Sequence, residues 1–505
     1  MTAGIKLDPT HAAFGVDERC DVLGRTHFIG IGGAGMSVLA EMLAERGITV
    51  DGSDRERSAK TERLAALGID VRFGQCAENV SDADTVVYSS AIKSSNPEIV
   101  AAASQGKRIA HRSDILALLM NGSRAVTVAG AHGKTTTSSM LAHILEHCGA
   151  NPSYAIGGSI QGANGAVLDG GHIGNGDMLV AEADESDGSF GKYHPYIAII
   201  TNCEADHLDH YGDEEHYRAA FVNHAGHAKG HVVICADDPD ALAVLQALDG
   251  EAASRAIAYG TGDPASIALK GASYVHIASE RESEGSGSER FTLDMPAGIA
   301  GESAFELPVE LAVPGLHNAR NAAAALTAAM LLGVEPGKAA KAASTFIGAA
   351  RRFQVRGVVK QVTVVDDYAH HPTEIAALLD AARRRYTHGA IRVLFQPHLF
   401  SRTKFFARQF AEALAKADDV IVTGVFPARE RQEDFPGVGP LSIVHEAQGT
   451  DSAKFQAVGD MRLAAQMMAM RAHHGDVIFT VGAGDITDMG PVILHALEAH
   501  REGCE

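Results

Sequence analysis

Short apolar runs recur along the chain, each followed by a glycine-rich or polar turn and then by a longer stretch of helical character. Three segments show this most clearly: His27-Phe28-Ile29-Gly30 leads to Met36–Arg46, Ala125–Ala129 to Thr136–His147, and Val362–Val365 to Thr373–Arg385. Further apolar runs at Thr85–Tyr88, Met178–Glu182, Ile197–Thr201, Val232–Cys235, Ile391–Phe395, Val420–Thr423 and Val477–Val481 continue the pattern. Strands alternating with helices of this length predict an α/β protein with parallel, doubly wound sheets. Ligands of such sheets sit beyond the C-terminal strand ends, which is where the polar residues considered below fall.

The three openings divide the chain into three α/β units. The boundaries are soft: a turn at Asn121-Gly122-Ser123 and the stretch Phe346–Arg352, giving 1–121, 122–346 and 347–505. A length of 505 residues suits three domains at about 150 residues each. No solenoid period is present. Glu280–Arg290, rich in Glu, Ser and Gly between strand-like Ala272–Ile277 and Phe291–Asp294, reads as a flexible hairpin tip.

Composition narrows the function classes. Forty-three Lys and Arg against 63 Asp and Glu leave a net charge of −20, which argues against a general nucleic-acid binder. A backbone loop with one lysine can still hold phosphate. Six cysteines are scattered without a C-x-x-C pair, so neither a disulfide framework nor a zinc site is expected, and a reducing cytoplasm fits. Met1–Gly15 lacks a signal pattern. The longest apolar candidate, Ala322–Val334, is too short to span a bilayer.

The strongest chemical signal is Gly130-Ala131-His132-Gly133-Lys134-Thr135-Thr136-Thr137. It is a shortened phosphate loop, G-x-x-G-K-T-T-T, with a strand before it and a helix after it. Glycines let backbone N–H groups approach phosphate oxygens, and the helix presents its positive end. Lys134 reaches β/γ oxygens as a point charge, and Thr135 offers a hydroxyl to Mg²⁺. Downstream, Glu182 ends an apolar run within the cluster Glu182-Ala-Asp184-Glu185-Ser186-Asp187; Mg²⁺ takes one or two such carboxylates. His207 stands in Thr201-Asn202-Cys203-Glu204-Ala205-Asp206-His207, a second metal ligand or phosphate contact by its company of acids. Asn318 and Asn321 share one helix face that can read a purine edge; Asn318 can equally cap that helix.

Gly30-Ile31-Gly32-Gly33-Ala34-Gly35 satisfies G-x-G-x-x-G after a strand, with Asp51 and Asp54 about 20 residues on. Alone it predicts NAD, but the geometry cradles any pyrophosphate, a nucleotide sugar included.

Taken together and in order, these motifs resemble the Mur ligase family, and within it the alanine-adding branch. Further carrying segments are Arg351-Arg352-Phe353, Asp366–Glu374 and Phe395–Thr403. The resemblance implies an N-terminal Rossmann-like domain for a UDP-sugar, a central phosphate-loop ATPase domain with a parallel sheet, and a C-terminal Rossmann-like domain that closes over the site. It implies that Gly30, Gly32, Gly33, Gly35, Ser53, Asp54 and Ser89 meet the UDP-sugar. Gly130, Ala131, His132, Gly133, Lys134, Thr135 and Thr136 would hold ATP, with Asn318 and Asn321 on adenine. Thr135, Glu182 and His207 would hold two Mg²⁺ ions. Arg352 and Asp367 would face the nucleotide, and His370, His371, His398 and Arg402 the amino-acid and muramyl side.

The implied reaction joins L-alanine to the lactyl carboxylate of UDP-N-acetylmuramate through an acyl phosphate, giving ADP and phosphate in peptidoglycan precursor synthesis. Charge develops on phosphoryl oxygens, which lysine, magnesium and arginine stabilise. The attacking amine must lose a proton, which makes His207 and His371 the candidate bases. Ala131 stands where the family usually has threonine, and Leu399 and Phe400 where Arg and Tyr are common. Later-step members carry a lysine on the helix after His207, and Asp213–Ala228 contains none. Alternatives are a recycling ligase that joins a tripeptide to the same sugar, a dinucleotide oxidoreductase, and a nucleotide-driven switch.

Overall fold

The computed structural model describes residues 5–158, 160–161, 167–168, 170–282, 288–428, 430–447 and 449–499. Three large sheets organise them. The N-terminal sheet is fully parallel, in the order Asp70–Phe73, Val50–Asp54, Thr26–Ile29, Thr85–Tyr88, Arg108–His111. Its register sets His27 beside Asp51 on one side and Val86 on the other. Helices Ala34–Glu45, Ala59–Ala66, Pro97–Ser104 and Arg112–Met120 cover it.

The central sheet has ten strands. Ser153–Ala155, Met178–Glu182, Arg124–Ala129, Ile197–Ile200, His231–Cys235, Ala256–Gly260 and Ser273–Glu282 run parallel in that order. Its inner strands are buried almost end to end, as expected with helices on both faces. Glu289–Met295 and Phe305–Leu311 finish one edge with alternating burial, the mark of a sheet covered on one face. The third sheet runs Gln354–Val359, Val362–Asp367, Val477–Val481, Ile391–Phe395, Asp419–Val422, Phe455–Ala457. Only its first pair is antiparallel.

Contact density gathers the chain into two compact units. One holds Met1–Ser279, Phe291–Val309 and Arg320–Phe346; the other holds Glu280–Arg290, Glu310–Ala319 and Ile347–Glu505. The N-terminal sheet thus shares a unit with most of the central one. A single apolar cluster runs from Phe28 and Leu119 through Leu179 and Phe221 to Ala258. Arg112 and Asp114 at the head of the fourth helix pair with Asp184 and Lys192 of the central region.

Several expectations shift. The helix of the phosphate loop starts at Lys134, not Thr136, because the shortened loop closes as soon as Gly133 turns left-handed, with φ +82°. Asn318 lies inside the helix Leu316–Leu331 rather than capping it. The strands flanking Glu280–Arg290 run on to Glu282 and resume at Glu289; the tip, 283–287, lies outside the described residues. So does Cys504, while Cys20, Cys76, Cys148, Cys203 and Cys235 are free thiols. Among the described residues no helix is long and apolar enough to cross a membrane.

Candidate active site

The phosphate loop leaves the strand Arg124–Ala129 at Gly130, whose φ of +145° only glycine holds without strain. A Cβ there would sit 2.1 Å from the Thr201 hydroxyl. That hydroxyl donates to the His132 carbonyl at 2.6 Å. The Asn202 amide clamps the same residue from both sides, accepting from His132 N–H at 3.0 Å and donating to its carbonyl at 2.8 Å. Neighbouring strand ends thus fix the loop's shape. Gly133 caps the Lys134–His147 helix without any side-chain cap, which leaves the first-turn N–H groups for an anion. A Cβ on Gly133 would meet the Asn321 amide oxygen at 2.8 Å, so Asn321 lies against the loop.

Lys134 folds back over it. Its ammonium donates to the Gly130 carbonyl at 2.5 Å and to the Glu185 carboxylate at 2.9 and 3.1 Å. Burial alone would push its pKa down, but Glu185, Asp184 and Glu182 outweigh that and raise it. His207 stands at the N-terminus of the short helix Leu208–Tyr211 with φ +52°, its Nε2 3.8 Å from Glu185 and 3.8 Å from Asp206. Glu182 and Thr135 flank two successive glycines. A Cβ at Gly157 would lie 3.1 Å from the Glu182 carboxylate, and one at Gly158 would lie 3.0 Å from the Thr135 methyl. His132 Nε2 is 3.1 Å from Glu204. Asn318 is turned to the Pro314 carbonyl, to which its amide donates at 2.7 Å.

The other glycine turn is also held by neighbouring strand ends. Gly30 and Ile31 N–H both donate to the Ser53 carbonyl, at 2.8 and 2.9 Å, and Gly32 N–H donates to Asp54 at 2.8 Å. Gly33 begins the helix without a side-chain cap. A Cβ on Gly35 would lie 3.3 Å from the Arg112 guanidinium, which also bonds Asp184 at 2.6 Å. Ser53, expected on the sugar, has its hydroxyl turned inward to Glu98 at 2.7 Å; it is fully buried, and only its backbone serves the turn. Asp51 is likewise taken by His27 and Arg25, which leaves Asp54 as the acid at that strand end that faces the turn. Ser89 stands at the end of the strand Thr85–Tyr88, beside Ser90, which bonds His111 at 3.0 Å and also Asp187.

In the second unit, Asp367 ends the strand Val362–Asp367 and accepts N–H bonds from Phe353 at 2.7 Å and Ala369 at 2.8 Å. Arg352 lies over the Tyr368 ring at 5.2 Å and reaches Glu374 at 3.5 Å. Glu374 also accepts the N–H groups of His370 at 2.9 Å and His371 at 3.3 Å. His370 meets the ring of His398 at 5.7 Å, and His398 stacks on Phe426. Arg352, Asp367, His370 and His398 therefore gather around Tyr368 and Glu374. His371 heads the helix Pro372–Arg385 with its ring on Phe406. Arg402 is buried in the short helix Phe400–Phe405.

Burial raises the Asp367 pKa from 3.8 to about 6, against the lowering by Arg352 and by its two N–H bonds. A carboxyl whose pKa rises on folding stabilises the fold below its unfolded value and loses that contribution as pH climbs through the folded one. Between about pH 4 and pH 6 the second unit is therefore expected to lose about 3 kcal/mol of this contribution. Urea midpoints against pH should show that slope in the wild type and a flatter one in Asp367→Asn; parallel curves would refute the assignment.

Sequence reasoning missed Glu185 as the counter-ion of Lys134, Asn202 as the loop's clamp, and Arg112 between the glycine turn and Asp184. The first two stood inside quoted motifs. Arg112 carried no local signal.

Known proteins resemble this chain along its length. The Mur ligase family catalytic domain matches residues 25–124, the Mur ligase middle domain 128–329, and the Mur ligase glutamate ligase domain 351–484. The chain is 71% identical to the UDP-N-acetylmuramate–L-alanine ligase of Bifidobacterium longum subsp. infantis, over 99% of both chains. It is 45% identical to that of Paenarthrobacter aurescens, over 94% of this chain and 97% of the relative. The solved UDP-N-acetylmuramate-alanine ligase of Thermotoga maritima superposes with a TM-score of 0.74 at 29% identity, covering 94% of this chain and 100% of that one. With three domain families matched in order and full-length relatives at such identity, the chain belongs to the Mur ligase family.

Proposed function

We propose that the protein joins L-alanine to the lactyl carboxylate of UDP-N-acetylmuramate, using ATP, in the cytoplasmic synthesis of peptidoglycan precursors. The observation that carries the chemistry is Lys134 at the head of an uncapped helix, its ammonium on Glu185 beside Glu182 and Thr135. Full-length relatives that carry this activity in their names support the substrates. The helix Glu214–Gly226 after His207 contains no lysine, which favours the alanine-adding step over later ones.

In this reading Gly130, Ala131, His132, Gly133, Lys134, Thr135 and Thr136 hold the ATP phosphates, and Asn318 and Asn321 the adenine. Thr135, Glu182 and His207 suit Mg²⁺ by donor chemistry: a hydroxyl, a carboxylate and an imidazole. The notch at Gly157 and Gly158, which a Cβ would fill, leaves room beside the first two. We assign two ions, which when bound would neutralise phosphoryl oxygens. Gly30, Gly32, Gly33, Gly35, Asp54 and Ser89 take the UDP-sugar, and Ser53 acts through its carbonyl. Arg352, Asp367, His370, His371, His398 and Arg402 belong to a C-terminal domain, 347–505, that follows a sugar domain, 1–121, and an ATP domain, 122–346.

The carboxylate takes the γ-phosphoryl group and becomes an acyl phosphate; the alanine amine displaces phosphate, its proton removed by His371, since His207 as a metal ligand has no lone pair left for it. Phosphate release measured with UDP-N-acetylmuramate and a panel of L-alanine, glycine, L-serine and a tripeptide tests the reading. L-Alanine is expected to give the highest kcat/KM. Turnover with the tripeptide and none with L-alanine would make the protein a recycling ligase instead.

A further inference from the structure

The N-terminal sheet buries a polar cluster that no ligand contact requires. His27 is fully buried on a central strand. Its Nδ1 lies 2.5 Å from Asp51 of the next strand, and its Nε2 lies 3.7 Å from Glu98 of the helix Pro97–Ser104. Glu98, itself fully buried, accepts from the Ser53 hydroxyl at 2.7 Å and from Asn79 at 2.6 Å. Arg25 donates to the other Asp51 oxygen at 3.1 Å. Arg72 also faces the group, acting on Asp51 and donating to the Asn79 carbonyl. Arg25, Arg72 and His27 as imidazolium thus face the carboxylates of Asp51 and Glu98.

A neutral imidazole donates from one nitrogen only. Nδ1 makes the ring's hydrogen bond, to Asp51, while Nε2 has no hydrogen-bond partner and meets Glu98 at ion-pair distance only; the protonated ring therefore places a positive charge between two buried carboxylates that would otherwise repel. The cluster's free end is functional ground. Ser53, whose hydroxyl Glu98 holds, is the residue whose carbonyl accepts Gly30 and Ile31 N–H, and the next residue, Asp54, accepts Gly32 N–H.

We propose that His27 is a positioning residue for the sugar cradle: as imidazolium it fixes Glu98, Glu98 fixes Ser53, and Ser53 fixes the Gly30–Gly35 turn. This rests on the reading that the turn cradles the UDP-sugar. Burial lowers the His27 pKa, but bonding and charge from Asp51 and Glu98 outweigh it and set the pKa above the ordinary 6.5. The ring is therefore charged below that value and loses its proton as pH rises through the folded one. The cradle is expected to loosen on the alkaline side.

The test is steady-state kinetics of the full chain from pH 6 to pH 9 for wild type, Glu98→Gln and Ser53→Ala. Glu98→Gln should raise KM for UDP-N-acetylmuramate roughly ten-fold while KM for ATP stays within about two-fold. In the wild type that sugar KM should climb with pH, and in Glu98→Gln the climb should disappear. Ser53→Ala leaves every buried charge in place, so it serves if Glu98→Gln does not fold, and it should raise the sugar KM alone. Equal changes in both KM values, or an unchanged pH profile, overturn the proposal. Amide hydrogen exchange of Gly30–Gly35 with and without UDP-N-acetylmuramate separates the two readings. No protection there removes the cradle itself; protection with unaltered kinetics in both variants removes only the positioning role.

Discussion

Lys134→Ala is expected to slow ATP-dependent amide formation by about 10³-fold or more, because phosphoryl transfer is stabilised by fixed positive charge where negative charge develops. The pKa of Lys134 is raised from 10.5, so the ammonium stays charged through the neutral range. Its contribution to stability is lost only as pH climbs past the ordinary lysine value. The fold itself also uses that charge, since Glu185 is nearly inaccessible and Lys134 is its ion-pair partner. Alanine at 134 therefore strands a buried carboxylate, a loss of about 3–5 kcal/mol for a broken buried pair. Stability and catalysis are separable here. The double variant Lys134→Ala/Glu185→Gln should recover most of the lost melting temperature and none of the rate. Near-normal phosphate release from the single variant would sink the assignment of this loop. So would recovery of the rate in the double variant.

Much of the fold was legible because strand and helix periods are local. Met178–Glu182, Thr85–Tyr88, Ile391–Phe395 and Val477–Val481 occupy the expected residues. Helix starts were less legible. The shortened loop hides the first turn of the Lys134–His147 helix, because a left-handed Gly133 lets Lys134 enter it at once. The acids around Lys134 were visible as a cluster, but which one it pairs with depends on a fold-back across 51 positions that no period encodes. Ser53 shows the same limit. A strand alternates faces every second residue, so Ser53 and Asp51 share a face; that the face is the interior follows from Glu98, on a helix 45 residues away.

The three domains were legible, but that the first two pack into one compact unit was not. The segment Asp184–Asp187 reaches Arg112, Lys134, Ser90 and His111. It thereby joins the N-terminal sheet to the Gly130–Thr137 loop by contacts that sequence order does not announce. The consequence is chemical as well as architectural: the same short acidic stretch sets the counter-ion of Lys134 and lies against the side chain that overhangs Gly35.

Gly130→Ala is expected to be the most damaging single-methyl change in the loop. Two independent costs add at that position. A φ of +145° is a region that non-glycine residues occupy only at about 1–3 kcal/mol of strain. The new Cβ would also lie 2.1 Å from the Thr201 hydroxyl and 3.1 Å from the Asn202 carbonyl, and neither is the far end of a flexible side chain. Thr201 cannot swing aside freely, because its hydroxyl holds the His132 carbonyl at 2.6 Å. Relieving the clash therefore moves the loop that carries the phosphate-facing N–H groups. A misplacement of about 1 Å there costs on the order of 10²-fold in rate. The expected result is a drop of about 10²-fold in kcat/KM for ATP, with a smaller change in KM for UDP-N-acetylmuramate. Adding Thr201→Ala removes the 2.1 Å clash but neither the Asn202 backbone contact nor the strain, so the double variant should regain part of the activity and no more. Full recovery would show that φ at 130 is unimportant. No recovery would show that the Thr201 contact is not what Gly130 protects.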